Sequence, residues 1–264
     1  MKYMFDEHTF SVCAYGKSLY LEQCIKSLLR QNLKSNVIIC TSTPNEHIKH
    51  LSEKYNIKLY VREGKSDIKD DWNFAYNMAK TRYVTIAHQD DVYNKRYTEE
   101  LNKMIKKDKN FLIYYCGYRP IKNKKISTDV NCIIRAMLRS PMNIGFLRNI
   151  SFFKLATLAF GNSICCPSVT YDKKTLGDDI FSSALKFNID WDTFYKLAYM
   201  KGKFIYNNRI LMYYRIHDDA TSKEFIDNNG RIDEDIYMFD KFWPHFITKF
   251  IMKFYTKAYI TYSN

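Results

Sequence analysis

The tetrapeptide His88-Gln89-Asp90-Asp91 directly follows the apolar run Tyr83-Val84-Thr85-Ile86-Ala87, which reads as a buried parallel strand. A carboxylate pair at the carboxyl end of such a strand sits where open α/β sheets bind their ligands. No Lys or Arg follows until Lys95. The two acids would therefore repel one another unless a cation or a hydrogen-bond network held them, and a divalent metal meets that need economically. The competing reading is a solvated Asp-Asp turn that caps the next helix.

The elements that must position this pair alternate in type. Phe10 to Ala14 reads as a strand, and Leu21, Cys24, Ile25, Leu28 and Leu29 recur at helical spacing. Val37 to Cys40 is a second strand, followed by the turn Thr41-Ser42-Thr43-Pro44-Asn45 and a helix with Ile48, Leu51 and Tyr55 inward. Ile57 to Val61, Trp72 to Lys80 and Tyr83 to Ala87 continue as strand, helix and strand. This alternation predicts a parallel α/β sheet with right-handed crossovers. A helix carrying Leu101, Met104 and Ile105 and a strand from Phe111 to Cys116 take the α/β half to about Pro120. The stretch 121–160 is Lys-rich, then apolar without a clean period, and reads as a helical insertion or lid. Beyond it, Gly161 to Tyr171 has strand character, Asp190 to Lys201 is a helix, and Lys203 to Ile216 reads as two short strands.

Forty-one basic against 28 acidic residues give a net charge of +13, which favours anionic partners. No RNA-recognition signature, zinc-finger spacing or Arg-rich arm is present, so nucleic acid is not the expected partner. Seven cysteines without a C-x-x-C spacing read as reduced core residues. The N-terminal residues carry acids where a signal peptide needs an apolar run, and no apolar stretch reaches the ~18 residues of a membrane span. A cytoplasmic location is expected.

No G-x-G-x-x-G follows the first strand, and neither a P-loop nor a G-x-S-x-G elbow occurs, which argues against dinucleotide binding, P-loop phosphate transfer and α/β-hydrolase chemistry. The order of the remaining motifs is specific. Phe10-Ser11-Val12 with Tyr15, the segment Leu21 to Gln31, Asp71-Trp72-Asn73, the strand into His88-Gln89-Asp90-Asp91, Asn188-Ile189-Asp190-Trp191-Asp192 and Tyr214-Arg215-Ile216-His217 together resemble family 2 glycosyltransferases of the GT-A fold, over residues 9 to 222.

That resemblance implies a GT-A fold with a mixed, mainly parallel sheet and helices on both faces. It implies a nucleotide-sugar donor, a UDP-sugar first, contacted by Ser11, Val12, Tyr15, Thr41, Ser42, Trp72, Asn73, His88, Gln89, Asp90 and Arg215. A divalent cation, Mn2+ or Mg2+, held by Asp90, Asp91 and His217 would stabilise the departing diphosphate. An inverting transfer needs one carboxylate opposite that diphosphate to take the acceptor's proton. Asp190 resembles that base, with Asp192 the second choice, although either could simply cap its helix. Arg215 pairs either with the diphosphate or with a surface carboxylate. Three positions depart from the family pattern: Thr41-Ser42-Thr43 replaces acids after the second strand, His88 replaces the first acid of D-x-D, and Ile189 replaces the Glu before the base.

The expected organisation is a catalytic domain over 1–228, with a nucleotide-sugar half at 9–120 and an acceptor half at 121–228, followed by an amphipathic helical tail at 229–264. In the tail Phe242, Phe246, Phe250 and Phe254 recur every four residues, as do Lys249, Lys253 and Lys257. Such a helix suits an anionic membrane face over 242–262, or packs on the catalytic domain or on a second subunit, leaving a homodimer open. The expected role is transfer of a sugar to a glycan or lipid-linked acceptor in cell-surface polysaccharide biosynthesis, peripheral on the inner face of the plasma membrane. The alternative is a non-catalytic member of the fold that binds glycan or membrane.

Overall fold

The computed structural model describes residues 4–128, 130–216 and 230–256. Strands β1 (Met4–Ala14), β2 (Lys34–Thr41), β3 (Lys58–Val61) and β4 (Tyr83–His88) pair in parallel in the order β3-β2-β1-β4. Helices α1 (Leu21–Leu29), α2 (Glu46–Lys54) and α3 (Ile68–Met78) connect them. Alternation along β1 divides the core: Phe10, Val12 and Ala14 pack with α1 and α2, while Ser11 and Cys13 face α3. The helix starts follow from their caps, since Asn45 accepts the Ile48 N–H at 3.1 Å and Asp67 accepts those of Lys69 and Asp70.

Beyond β4 the sheet is mixed. Strand β8 (Val169–Asp172) lies antiparallel between β4 and β6 (Phe111–Lys122), and β9 (Lys203–Arg215) runs parallel to β6. Strand β5 (Val92–Tyr93) forms the far edge on β9, and β7 (Lys125–Ile126) folds back on β6. Helix α4 (Tyr97–Lys107) joins the α1–α2 face, and the short α7 (Lys173–Leu176) follows β8. The stretch Lys203–Ile216, expected as two strands, is one strand of 13 residues with a bulge, because Asn207 and Ile210 face the consecutive residues Cys116 and Gly117. Gly117 permits this: a Cβ there would lie 2.8 Å from the Arg209 carbonyl oxygen. The strand expected from Gly161 is confined to β8, preceded by a 3-10 turn at Cys166–Ser168.

After β6 and β7, the rest of the 121–160 stretch holds α5 (Val130–Arg139), two 3-10 turns and α6 (Ser151–Ala156). Two buried cations fasten it. The Arg139 guanidinium lies 4.6 Å from the Tyr118 ring centroid and donates to the Ser163 carbonyl. Lys154 donates to the carbonyls of Met200 and Gly202 at 2.7 and 3.2 Å, where a positive charge suits the carboxyl end of α8 (Ile189–Tyr199), and burial pulls its pKa down to about 8.

Helices α9 (Gly230–Asp240) and α10 (His245–Tyr255) pack on the same face of the sheet, with Met238, Phe239 and Met252 in one core with Trp191 and Phe194. Trp243 Nε1 donates to the Ala159 carbonyl at 2.7 Å. Of the four tail phenylalanines, Phe242 stacks on Trp191, whereas Phe246, Phe250 and Phe254 are exposed beside exposed Lys249 and Lys253. Lys257 and the residues after it lie outside the described residues.

Gly161 is the seat of this docking, with φ at +116° and the Tyr255 ring placed 2.8 Å from where a Cβ would stand. Gly161→Ala is expected to destabilise the protein by about 1–3 kcal/mol, read as a lower denaturation midpoint. Combining it with Tyr255→Ala should cost less than the sum of the two single changes. Additive losses would show that α10 is not seated on Gly161.

Candidate active site

The carboxyl ends of β1 to β4 form a crevice whose walls are tied across strands. The Tyr15 N–H donates to Gln89 Oε1 at 3.0 Å, and Gln89 Nε2 donates to the Tyr15 carbonyl at 2.9 Å. The Gly16 N–H donates to Thr43 Oγ1 at 2.8 Å. After β2, Ser42 donates to Asp71 Oδ2 at 2.9 Å, and Asp71 also accepts from Arg62 and Ser66 at 2.8 and 2.7 Å. The rim where acids were missing from the turn after β2 thus holds a carboxylate supplied by α3. Thr41 is buried and its hydroxyl caps the turn by accepting the Thr43 N–H.

The acid pair stands at the centre of this crevice. Ser18 Oγ donates to Asp90 Oδ1 at 2.7 Å. Asp91 is buried and its Oδ1 accepts the Arg215 N–H at 3.0 Å. Burial pushes the Asp91 carboxyl up to about 8, with the charge of Asp90 adding to the rise and the Arg215 N–H opposing it. Arg215 clamps the other side: Nε donates to the Asp90 carbonyl at 3.0 Å, a terminal nitrogen reaches Gln23 Oε1 at 2.7 Å, and the guanidinium lies 4.2 Å from the Tyr20 ring centroid. The arginine therefore joins the end of β9 to the acid turn rather than meeting a surface carboxylate. His88 stacks on Trp72 with centroids 5.2 Å apart, and burial lowers its pKa to about 4, so the ring is neutral near pH 7. Its Nε2 is buried without a hydrogen-bond partner among the described residues. His217 lies outside the described residues.

Asp190 opens α8, where its carboxylate accepts the Trp191 N–H at 2.8 Å and Asn162 Nδ2 at 2.8 Å. Burial pushes its pKa up to about 6, and those two donors hold it from rising further. Asp192 is different. Burial opposes its ionisation, yet Lys196 at 2.9 Å and Lys241 at 2.5 Å keep its pKa below the usual carboxylate value. It is a structural anchor between α8 and α9. Burial pushes the Cys165 thiol up, and the charges of Asp91 and Asp190 add to the rise.

Three donor contacts implied by the sequence fall elsewhere. The Val12 side chain is wholly buried with α1, and the buried Ser11 hydroxyl is bonded to the Ala75 carbonyl at 2.7 Å, because both lie inside β1 rather than at its end. Asn73 is used at both ends of its amide by the Phe181 backbone, at 2.9 and 3.0 Å, and so holds a loop. Sequence reasoning missed Ser18, Arg62 and Asn162, which carry no motif of their own. It also missed Glu234, which α9 sends into the loop before Asp190 to accept the N–H groups of Lys186, Phe187 and Asn188 at 2.7, 2.9 and 2.8 Å. Asn188 is held as well, donating to Asp235 at 2.7 Å.

The sequence model of glycosyl transferase family 2 matches residues 9–168, more than half of the chain. The chain belongs to that family. This glycosyltransferase is 23% identical over 239 residues to an uncharacterized glycosyltransferase of Rickettsia prowazekii, across 89% of this chain and 70% of the relative. Its fold is similar to S. aureus TarS residues 1–349, with a TM-score of 0.57, 18% identity and coverage of 93% of this chain and 69% of that one. It is also similar to the mannosyltransferase PcManGT from Pyrobaculum calidifontis, solved with GDP-Man and Mn2+, with a TM-score of 0.63, 14% identity and coverage of 89% and 63%. The expected GT-A architecture is thus the observed one, with β3-β2-β1-β4 as its parallel half.

In this glycosyltransferase Glu234 satisfies three consecutive amides ahead of Asp190. Glu234→Ala is expected to destabilise the fold by about 1–3 kcal/mol and to speed amide hydrogen exchange at 186–188. Unchanged exchange at those amides would show that the carboxylate does not hold the loop.

Proposed function

We propose that this protein is a metal-dependent, inverting glycosyltransferase that moves a sugar from a nucleoside diphosphate, a UDP-sugar first, to a glycan or lipid-linked acceptor. The observation that carries the reading is the Asp90–Asp91 pair at the carboxyl end of β4, held by Ser18 and Arg215, in a chain of glycosyl transferase family 2. Among the described residues no group of three His, Cys, Asp or Glu could hold a metal by itself. The carboxylates at the end of β4 nevertheless fit Mn2+ or Mg2+, which take hard oxygens and bind through one or two carboxylates completed by substrate phosphates. Asp90 and Asp91 would hold the ion, and His217 remains a candidate third ligand; when bound, the ion supplies positive charge to the departing diphosphate. Ser18 and the Arg215 clamp fix the acid turn.

Chemistry at the acceptor falls to Asp190. As the acceptor oxygen bonds to the anomeric carbon, the bond from that carbon to the diphosphate breaks, its electrons leave with the diphosphate, and the acceptor's proton passes to Asp190. A carboxyl pushed to about 6 is ionised near pH 7 yet a better proton acceptor than an ordinary aspartate. His88 replaces the first acid of D-x-D with a ring that burial keeps neutral near pH 7. Tyr15, Trp72, Thr41 and Ser42 stand around the nucleotide crevice, with Asp71 and Arg62 at its rim. Support for uridine comes from TarS, solved with UDP and with UDP-GlcNAc, and support for a metal from the Mn2+ complex of PcManGT.

Exposed Phe246, Phe250 and Phe254 beside Lys249 and Lys253 support peripheral attachment to an anionic bilayer, consistent with cell-surface polysaccharide synthesis at the inner face of a plasma membrane. No helix among the described residues is long and apolar enough to cross a membrane.

Thermal shift with UDP, GDP and their sugar conjugates, with and without Mn2+, tests the reading. A ligand at a hundredfold its dissociation constant should add about 2.7 kcal/mol of stability. Indifference to every nucleotide would leave a non-catalytic binding protein. Asp90→Asn is expected to abolish the Mn2+-dependent part of donor stabilisation and of turnover, because an amide is a poorer ligand for a hard cation. Metal-dependent turnover at the parent rate in that variant would remove Asp90 from the metal site. Asp190→Asn should lower transfer by roughly 10²–10⁴-fold with donor affinity kept. In the parent, the rate should fall as pH drops through about 6, where Asp190 takes up its proton. A rate constant down to pH 4.5 would assign the base elsewhere.

A further inference from the structure

Helices α5 and α10 enclose a cleft of ≈ 310 Å3 that none of the donor contacts uses. Ile134 and Leu138 of α5 form one wall, and Phe250 and Phe254 of α10 the other. Its outer lip is open, since Ile134, Phe250 and Phe254 are all about half exposed or more. Arg135 and Arg231 also line it, together with Gly161, whose neighbour Asn162 holds the Asp190 carboxylate.

Both arginines are tied to neighbouring side chains. Arg135 donates to Tyr118 Oη at 3.4 Å. Arg231 pairs with Asp235 at 3.4 Å and is near enough to Asp190 to lower its proton affinity. The two segments that form the walls are basic: residues 131–160 contain Arg135, Arg139, Arg148 and Lys154 with no acid, and residues 241–256 contain Lys241, Lys249 and Lys253 with no acid, whereas the acids of α9 include Asp235, the partner of Arg231. A mostly apolar trough with an exposed lip and two arginines in its lining, in a molecule of net charge +13, is complementary to an anionic amphiphile.

We propose that this cleft is the acceptor subsite for an apolar chain joined to a phosphate, the chain lying between Ile134 of α5 and Phe250 and Phe254 of α10, and the phosphate meeting Arg135. The assignment rests on the transferase reading for the word acceptor; binding of the amphiphile itself does not. Arg135 offers a planar set of donors suited to phosphate oxygens. The exposed lip allows a chain longer than the cleft to continue into a bilayer.

The test is binding of dodecyl phosphate, below its micellar concentration, to the full chain. The readout is tryptophan fluorescence, because Trp243 lies 5.0 Å from Phe160, which lines the cleft. Dodecyl phosphate should bind the parent, with dodecyl maltoside at least about tenfold weaker and inorganic phosphate unable to compete. Ile134→Asp and Arg135→Gln should each weaken binding by about tenfold or more. Ile134→Asp should keep the parent's thermal shift with UDP and Mn2+, which also shows that it folds. Parent-like binding of dodecyl phosphate by Ile134→Asp would overturn the cleft. So would binding to anionic vesicles with none to the monomeric amphiphile, which makes the face a bilayer contact alone, or a parent dimer that Ile134→Asp dissociates, which makes it a subunit contact. A parent indifferent to every nucleoside diphosphate would overturn the transferase reading and the acceptor role together, whereas variant-insensitive amphiphile binding overturns the subsite alone.

Discussion

Two carboxyl groups, one buried and one half-buried, set the terms for the rest of this structure. Asp91 and Asp190 both have raised proton affinity because burial penalises their charged forms, and each is kept from rising further by a few aimed donors. Aiming those donors requires distant parts of the chain. The Arg215 N–H comes from the last strand of the sheet, and Asn162 from the turn after the insertion. A sheet that brings β9 beside the end of β4 through β5 is what makes the first of these contacts available.

The second carboxyl depends on elements that follow the family match. The loop ahead of Asp190 hangs on Glu234 and Asp235, α8 is tied to α9 through Asp192 and Lys241, and α10 rests on Gly161 one residue from Asn162. Residues 230–255 therefore back the elements that carry Asp190, while their outer surface keeps three phenylalanines and two lysines in contact with solvent.

The sequence shows the frame clearly where one physical rule dominates. Alternating buried runs and 3.6-residue periods place four parallel strands and their helices, and the acid pair after β4 marks the crevice. It fails where a residue's role is set by what arrives from elsewhere. Ser11 and Val12 sit in a motif but face inward from β1, and Asn73 spends its amide on the Phe181 backbone, 108 residues away. The two-strand reading of 203–216 fails because a bulge looks like a break in alternation, and Gly117, which accommodates it, is on another strand. Asp190 and Asp192 are equivalent by spacing alone. Only the ammonium groups of Lys196 and Lys241 distinguish them, and the second belongs to a segment whose periodicity suggested a separate tail.

The Glu234 contact has a consequence for how the protein handles anions. Three successive N–H groups turned toward one point form the kind of concavity that captures phosphate or sulfate from solution. Here that basin is already filled by the chain's own carboxylate. A small anion drawn to this strongly basic molecule finds no open pocket of backbone donors at that loop. The carboxylate that shapes the loop thereby also keeps it from capturing phosphate.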